Sequence, residues 1–304
     1  MNLIRKLIRY PIIAFKCWWR GGLQAVADDL RASLRNQLGI PELEDRIQLI
    51  EKEMLPALST WVVTCWVEYA TLERTPLVSV IVPTRNRADL LPRAVESVCA
   101  QVYSHWEIVL TDDGSTDSTP AVIEDLRKRL GDDRFKTMRT MPSGVCAARN
   151  HAMDRARGEF IVYLDDDNVM HPMWLKAVVW TFLQRPEVDV VYGGLIIDDM
   201  KRVNGRDTGD LPKYYLHSFD RQQLAHNNLA DIGQIAHRRG LPEARFDESL
   251  GGLGDWDLLQ RLTREKEPMV IPALACLYST AATDRLSADP SFQDEIVQVR
   301  QRLR

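Results

Sequence analysis

Apolar and polar residues are grouped in blocks along the middle of the chain, and their periodicity changes at Thr75-Pro76. Short apolar runs that end in polar clusters are typical of buried strands, whereas apolar residues three or four positions apart are typical of helices. The pattern predicts strands at 77–82, 106–110 and 160–164 and helices at about 90–98, 120–130 and 144–156. Strands that alternate with helices at this spacing predict a parallel α/β sheet with right-handed crossovers.

Each of the three predicted strands ends in a polar cluster. The clusters are Pro83-Thr-Arg-Asn-Arg87, Asp112-Asp-Gly-Ser-Thr-Asp117 and Asp165-Asp-Asp-Asn168. Ligands of such sheets bind at the carboxyl ends of the strands, so neighbouring strands would bring the three clusters to one crevice. Singly, each cluster is an ordinary turn, but three of them in register predict a nucleotide site.

Charged side chains in the first two clusters suit the two ends of a nucleotide. Asp112 or Asp113 could accept an N–H from a base. Arg85 or Arg87 could pair with a phosphate, because guanidinium groups bind phosphate oxygens in pairs.

Three consecutive aspartates, Asp165 to Asp167, follow the third strand. Crowded carboxylates repel one another, so a divalent cation or basic side chains should lie beside them. The segment taken alone also fits an Asp-rich turn that caps the next helix. It does not fit an EF-hand loop, because Met170 and Lys176 stand where that loop needs glycine and glutamate.

A glycine-rich stretch, Gly251-Gly-Leu-Gly254, leads into a predicted helix whose first turn carries Asp255 and Asp257. The helix dipole favours carboxylates there, so simple capping is one explanation. The glycines would also let a ligand approach the backbone closely, with Asp255 at the rim. On that interpretation Asp255 is a candidate general base. Trp256 either stacks on a ring of a bound ligand or is buried in the core.

The first 20 residues form two faces in a helical projection. Leu, Ile, Phe and Trp side chains fall on one side, and five Lys and Arg side chains fall on the other. This composition predicts a helix at a membrane interface, the alternative being a helix packed on the domain or on another subunit. Residues 1–22 are therefore interpreted as a basic amphipathic membrane-surface anchor and residues 23–75 as a helical linker region.

Composition and charge narrow the classes of function. Outside the first 20 residues the chain carries 34 basic and 43 acidic side chains, which argues against a nucleic-acid partner. The five cysteines are widely spaced and include no C-x-x-C pair, which indicates the reduced thiols of a cytoplasmic protein. The sequence also lacks a run of about 18 apolar residues that would span a membrane.

Five segments resemble, in order and spacing, the motifs of family 2 glycosyltransferases, which are inverting enzymes with the GT-A fold. The segments are Val78-Ser-Val-Ile-Val-Pro-Thr-Arg-Asn-Arg87, Glu107-Ile-Val-Leu-Thr-Asp-Asp-Gly-Ser-Thr-Asp117, Ala148-Arg-Asn150, Gly158-Glu-Phe-Ile-Val-Tyr-Leu-Asp-Asp-Asp167 and Gly254-Asp-Trp-Asp-Leu258. The resemblance implies an α/β GT-A fold, a Rossmann-like, mostly parallel sheet flanked by helices, here with an N-terminal helical extension.

The same resemblance implies a division of the chain. The glycosyltransferase domain would cover 76–282, with a nucleotide-sugar-binding half at 76–170 and an acceptor-binding, catalytic-base half at 171–282. A helical tail would follow at 283–304.

The site residues implied by the resemblance fall into three groups. The nucleotide-sugar would be bound by Pro83, Thr84, Arg85, Asp112, Asp113, Arg149, Asp165 and Asp166. Asp165 and Asp167 match the family's DxD motif, in which Asp167 would hold Mn²⁺ or Mg²⁺ on the diphosphate and Asp165 would contact ribose or metal. Asp255 matches the general base, with Trp256 and Asp257 as acceptor-side candidates. Gly254 replaces the glutamate that usually precedes the base.

The implied reaction is transfer of a hexose from a nucleotide-diphosphate donor, expected to be a UDP-sugar, to an acceptor hydroxyl. A processive Q-x-x-R-W signature does not follow Asp255, which favours single additions. The expected acceptor is a glycan or lipid-linked glycan of cell-surface polysaccharide biosynthesis, at the inner face of the plasma membrane. Two alternatives remain: a sugar-1-phosphate nucleotidyltransferase, and a catalytically inactive nucleotide-sugar-binding module.

Overall fold

The computed structural model describes residues 60, 63–64, 67–198, 213–279 and 292–301. The predicted membrane-surface anchor at 1–22 and most of the predicted linker lie outside the described residues. Among the helices in these ranges, none has the length and hydropathy that crossing a bilayer requires.

The strands of the described ranges are β1 (Val78–Thr84), β2 (Trp106–Asp112), β3 (Phe135–Arg139), β4 (Phe160–Tyr163), β5 (Val169–Met170), β6 (Val190–Asp198), β7 (Lys213–Tyr215), β8 (Ile235–Arg238) and β9 (Met269–Ser279). The helices are α1 (Leu91–Cys99), α2 (Thr119–Leu130), α3 (Val145–Met153), α4 (Trp174–Gln184), α5 (Arg221–Leu224), α6 (Gly254–Leu262) and α7 (Phe292–Gln301). The strand–helix alternation predicted from 77 to 164 is confirmed, with α3 ending three residues earlier than expected.

The strands form one sheet in the order β3-β2-β1-β4-β8-β6-β9-β5, with β7 beside β6. β1 pairs in parallel with both β2 and β4, and Thr84 lies opposite Asp112 in the register. The polar clusters that follow these three strands therefore lie side by side, as predicted. Beyond β4 the sheet becomes mixed, because β8 runs antiparallel to both of its neighbours, β4 and β6.

Both faces of the sheet are covered, which explains why β1 is apolar almost throughout. Val80 and Val82 pack with α1 and α4 on one face, whereas Ile81 packs with α3 and α6 on the other. Successive side chains of a strand point to opposite faces, so a strand buried on both sides needs a continuous apolar run. Among the described residues, Cys99, Cys146 and Cys276 are free thiols.

Candidate functional site

A cavity of about 420 Å³ opens at the carboxyl ends of β1, β2 and β4. From the first half of the predicted domain it is lined by Pro83, Thr84, Arg85, Asn86, Arg87, Asp113, Gly144, Val145, Ala148, Arg149, Asp165, Asp166 and Asp167. From the second half it is lined by Asp231, Ile232, Gly251, Gly252, Asp255 and Tyr278. Its volume lies within the range of pockets that bind small molecules and cofactors.

Arg149 supplies a positive charge beside the aspartate triplet. Its guanidinium Nη2 lies 2.6 Å from Asp165 Oδ1, and the side chain is only 7% exposed. α3 presents Arg149 to the cavity together with Val145 and Ala148, because residues three and four apart share one helix face. The cation that the crowded carboxylates require is thus provided in part by the protein itself.

Asp166 differs from its two neighbours in being almost fully buried. Burial, together with the nearby charge of Asp167, raises the pKa of Asp166 to about 7. The Arg87 guanidinium opposes this shift from 3.6 Å. Asp166 therefore holds a proton more readily than an exposed aspartate would.

The donor set around Asp165 and Asp167 fits a particular kind of metal site. In the ranges that the structure describes, no three His, Cys, Asp or Glu side chains converge as metal ligands. Mg²⁺ is commonly bound by one or two carboxylates, with the remaining oxygens supplied by water and substrate phosphates. Two carboxylates at the wall of an open cavity could therefore bind a cation whose coordination shell is completed by the oxygens of a bound diphosphate.

The two aspartates after β2 have different positions. Asp113 reaches the cavity wall, where its carboxylate accepts hydrogen bonds from Ser143 N at 2.7 Å and Gly144 N at 2.9 Å. Asp112 lies behind the wall and accepts a hydrogen bond from Ser115 N at 2.8 Å. Asp113 thus fixes the start of α3. Asp112 was expected to contact the ligand, but the turn that follows β2 buries its carboxylate behind the cavity wall.

Asp255 lies in the first turn of α6, at the cavity wall. Asn228 Nδ2 donates to Asp255 Oδ2 at 2.8 Å, and Trp256 N donates to Oδ1 at 2.7 Å. Burial raises the pKa of Asp255, and the positive charge of Arg149 opposes the rise. A carboxylate held in one orientation, with a raised pKa, has the properties required of a general base.

Asp231 is a second carboxylate in this part of the cavity, and the sequence analysis missed it. Its side chain accepts a hydrogen bond from Gly233 N at 2.9 Å and caps the 3₁₀ helix Ile232–Gln234. Burial raises its pKa, and the charges of Asp165 and Asp255 raise it further. The Asp-x-x-Gln spacing identifies the cap, but no local signal in the sequence points to the cavity.

The acceptor-side candidates Trp256 and Asp257 both point away from the cavity. Trp256 is 2% exposed and donates from Nε1 to Leu224 O at 2.6 Å. Asp257 is buried and forms an ion pair with Arg261 at 2.7 Å. Each successive residue is rotated by about 100° around a helix, so an Asp255 that faces the cavity turns the next two side chains into the core. Of the two alternatives for Trp256, the structure agrees with the buried one, and Asp257 is buried as well.

Packing explains why residue 254 is a glycine rather than the glutamate that usually precedes the base. A Cβ atom at Gly254 would meet Cys146 Sγ at 2.5 Å and Phe246 Cδ1 at 3.2 Å. Cys146 is itself buried on the inner face of α3. The space for a side chain at position 254 is therefore occupied by the neighbouring helix.

We predict that Gly254→Ala destabilises the protein by about 1–3 kcal/mol, the usual cost of overpacking a core. The loss should be smaller in a Cys146→Ala background, because that change removes the Sγ atom that the new methyl group meets. Thermal unfolding of the two single variants and the double variant would measure the coupling. Equal losses in both backgrounds would show that Cys146 does not close this position.

Comparison with known proteins places this geometry in a family. The model of the family "Glycosyl transferase family 2" matches residues 79–239. The PGL/p-HBAD biosynthesis glycosyltransferase of Mycobacterium bovis is 31% identical over 185 residues, which are 60% of this chain and 68% of that protein. The GalNAc(5)-diNAcBac-PP-undecaprenol beta-1,3-glucosyltransferase of Campylobacter jejuni is 35% identical over 127 residues, covering 40% of this chain and 39% of that enzyme.

Solved structures show the same fold at lower sequence identity. S. aureus TarS 1-349 in complex with UDP-GlcNAc superposes with a TM-score of 0.58 at 21% identity, over 73% of this chain and 65% of that chain. The mannosyltransferase PcManGT from Pyrobaculum calidifontis, in complex with GDP-Man and Mn²⁺, gives a TM-score of 0.51 at 22% identity, over 74% and 64%. The fold is GT-A, as the sequence motifs implied. The family match over residues 79–239 and the similarity to curated glycosyltransferases establish that the chain belongs to glycosyl transferase family 2.

Proposed function

We propose that the protein transfers a sugar, with inversion, from a nucleotide-diphosphate donor to an acceptor hydroxyl, and that Asp255 is the general base. One observation supports this above the others. A single cavity brings the DxD residues Asp165 and Asp167 together with an Asp255 carboxylate oriented by Asn228. The cavity also joins residues of the proposed donor half, 76–170, to residues of the proposed acceptor half, 171–282.

In the proposed reaction, Asp255 takes the proton of the acceptor hydroxyl while its oxygen forms a bond to the anomeric carbon. The bond from that carbon to the diphosphate breaks, and the nucleoside diphosphate leaves with the bonding electrons. Attack from the face opposite the leaving group inverts the configuration. The hydrogen bonds from Asn228 and from Trp256 N hold the carboxylate, so less orientational freedom is lost on reaching the transition state.

The donor is proposed to be a UDP-sugar that lies against Pro83, Thr84, Arg85, Asp113 and Arg149. The UDP-GlcNAc complex of TarS supports a nucleotide-sugar of this type, since its fold is shared. Binding to the native state raises thermal stability by mass action. A thermal-shift screen of nucleotide-sugars with Mn²⁺ would identify the donor by the largest increase in Tm.

A divalent cation, Mn²⁺ or Mg²⁺, is proposed to bind at Asp167 and Asp165. When bound, it would neutralise charge on the leaving diphosphate. Asp167 lies at the cavity wall and matches the second aspartate of the DxD motif, which supports it as the principal metal ligand. The Mn²⁺ complex of PcManGT, a protein of similar fold, supports the presence of a divalent cation.

The acceptor is proposed to be a lipid-linked glycan, with single hexose additions at the cytoplasmic face of a membrane. The name of the Campylobacter relative includes an undecaprenol-linked glycan, which supports this class of acceptor. In a helical projection, the basic and apolar faces of residues 1–20 suit an anionic lipid surface.

We predict that deletion of residues 1–20 abolishes co-sedimentation with anionic liposomes. Unchanged co-sedimentation would contradict the membrane assignment.

Product analysis with a labelled nucleotide-sugar tests the proposed function. Formation of a glycoside of inverted configuration together with the nucleoside diphosphate is the expected result. Release of pyrophosphate would indicate a nucleotidyltransferase instead. Tight donor binding without any product, across a panel of lipid-linked acceptors, would indicate an inactive binding module.

A further inference from the structure

Helix α7 contacts the glycine turn that precedes Asp255. The Glu295 carboxylate of α7 accepts hydrogen bonds from Gly251 N at 2.8 Å, Gly252 N at 2.9 Å and Leu253 N at 3.1 Å. Three successive backbone N–H groups that converge on one anion form an anion-binding nest. Hydrogen bonds to an ionised carboxylate are about twice as strong as those between neutral groups, so this contact fixes the turn firmly.

The sequence of the turn is adapted to this contact. A Cβ atom at Gly251 would lie 2.9 Å from Glu295 Oε1, so a side chain there would crowd the carboxylate. Gly251 and Gly252 also line the cavity. Two adjacent glycines lose much conformational freedom on folding, so a turn built from them needs an external restraint to keep one conformation.

The same helix contacts the other segment that holds the candidate base. Arg300 Nη2 donates to His226 O at 2.7 Å, and Arg300 Nε donates to the same oxygen at 3.1 Å. Asn228, two residues further along, donates to Asp255 Oδ2. Val299 is fully buried between these polar contacts and anchors α7 in the core. α7 therefore restrains Asp255 from both the glycine turn and the Asn228 segment.

We propose that Glu295 is a positioning residue of the transferase site: it clamps the 251–253 turn so that Asp255 is aimed at the acceptor hydroxyl. This inference rests on the proposed role of Asp255 as the base. Both α7 and the 251–253 turn lie beyond residues 79–239, the range that the family model matches. A displacement of about 1 Å in a catalytic group can cost about 100-fold in rate. Loss of the clamp should therefore reduce turnover even though Glu295 does not line the cavity.

The experiment compares Glu295→Ala and Glu295→Gln with Asp294→Asn as a matched control. Asp294 precedes Glu295 on α7 and is exposed, so the control removes a neighbouring charge without changing the turn. We expect Glu295→Ala to lower kcat by about 10- to 100-fold with the donor KM nearly unchanged, because the donor-side residues are not displaced. Glu295→Gln keeps one acceptor oxygen and should lose less, and Asp294→Asn should match the wild type.

Hydrogen exchange of the peptide that contains 251–253 gives a readout that does not depend on activity. These amides should exchange faster in Glu295→Ala than in the wild type or in Asp294→Asn. A kcat for Glu295→Ala equal to that of the wild type would overturn the proposal, whether or not exchange becomes faster. Unchanged exchange in Glu295→Ala would overturn the clamp, and this result does not depend on activity. Absence of transferase activity in the wild type would be a separate failure, that of the proposed function.

Discussion

Replacing Asp255 with asparagine should lower kcat by about 10²- to 10⁴-fold, the usual contribution of a general base. The amide has the size of the carboxylate and can still accept the hydrogen bond from Trp256 N, but it cannot take a proton at neutral pH. Donor binding should persist, because Arg149, Asp165 and Asp167 are unchanged. Steady-state kinetics combined with a donor-binding titration would separate the two effects.

The pH dependence of the wild type provides a second measurement on the same residue. The proposed reaction needs Asp255 ionised, so activity should fall as the pH decreases and the carboxylate takes up a proton. Because burial raises the pKa of Asp255, the midpoint of this acid limb should lie above the ordinary aspartate value of about 3.9. The limb should disappear from the residual activity of Asp255→Asn.

Two variants make the assignment of the base specific. Asp257→Asn removes a carboxylate from the same helix turn. Asp257 does not line the cavity and is paired with Arg261, so this variant should retain the wild-type kcat and lose some stability. Wild-type turnover in Asp255→Asn would instead transfer the role to Asp231, the neighbouring carboxylate of the cavity.

Replacing Asp167 with alanine should abolish metal-dependent donor binding. Asp167 lies at the cavity wall and matches the second aspartate of the DxD motif, so alanine at 167 removes the carboxylate that is proposed to hold a cation against a diphosphate. Calorimetric titration of the donor with and without Mn²⁺ measures this directly and does not require turnover. Asp125→Ala, which removes an exposed carboxylate from α2, serves as the matched control. A wild-type titration that metal does not affect would refute the assignment.

Much of the donor side of the site could be predicted from the sequence. β1, β2 and β4 are apolar runs that end in polar residues, and parallel neighbours bring such ends together, so the meeting of Pro83, Asp113 and Asp165 follows from local pattern and sheet geometry. Arg149 could be included because its motif resembled that of a family. The sequence could not separate Asp112 from Asp113, since the direction of each side chain depends on the turn that follows β2.

The other side of the site was less accessible to sequence reasoning. Asp231 has a plain local role as a cap, and only the packing of its 3₁₀ helix brings it near Asp255. Trp256 and Asp257 follow the base directly, but the rotation of α6 turns them inward. Glu295 is 40 residues beyond Asp255 along the chain, and its contact with the glycine turn depends on how α7 docks.

The strand–helix order, the polar strand ends and the glycine turn before Asp255 can be predicted from the sequence, because these features depend on periodicity and residue type over a few neighbouring positions. The folded structure was needed to show which carboxylates share the cavity, why position 254 has no side chain and what restrains the turn at 251–253. Those features are contacts between segments far apart in the chain. Their energies depend on distance and burial in the folded protein, which no local pattern specifies.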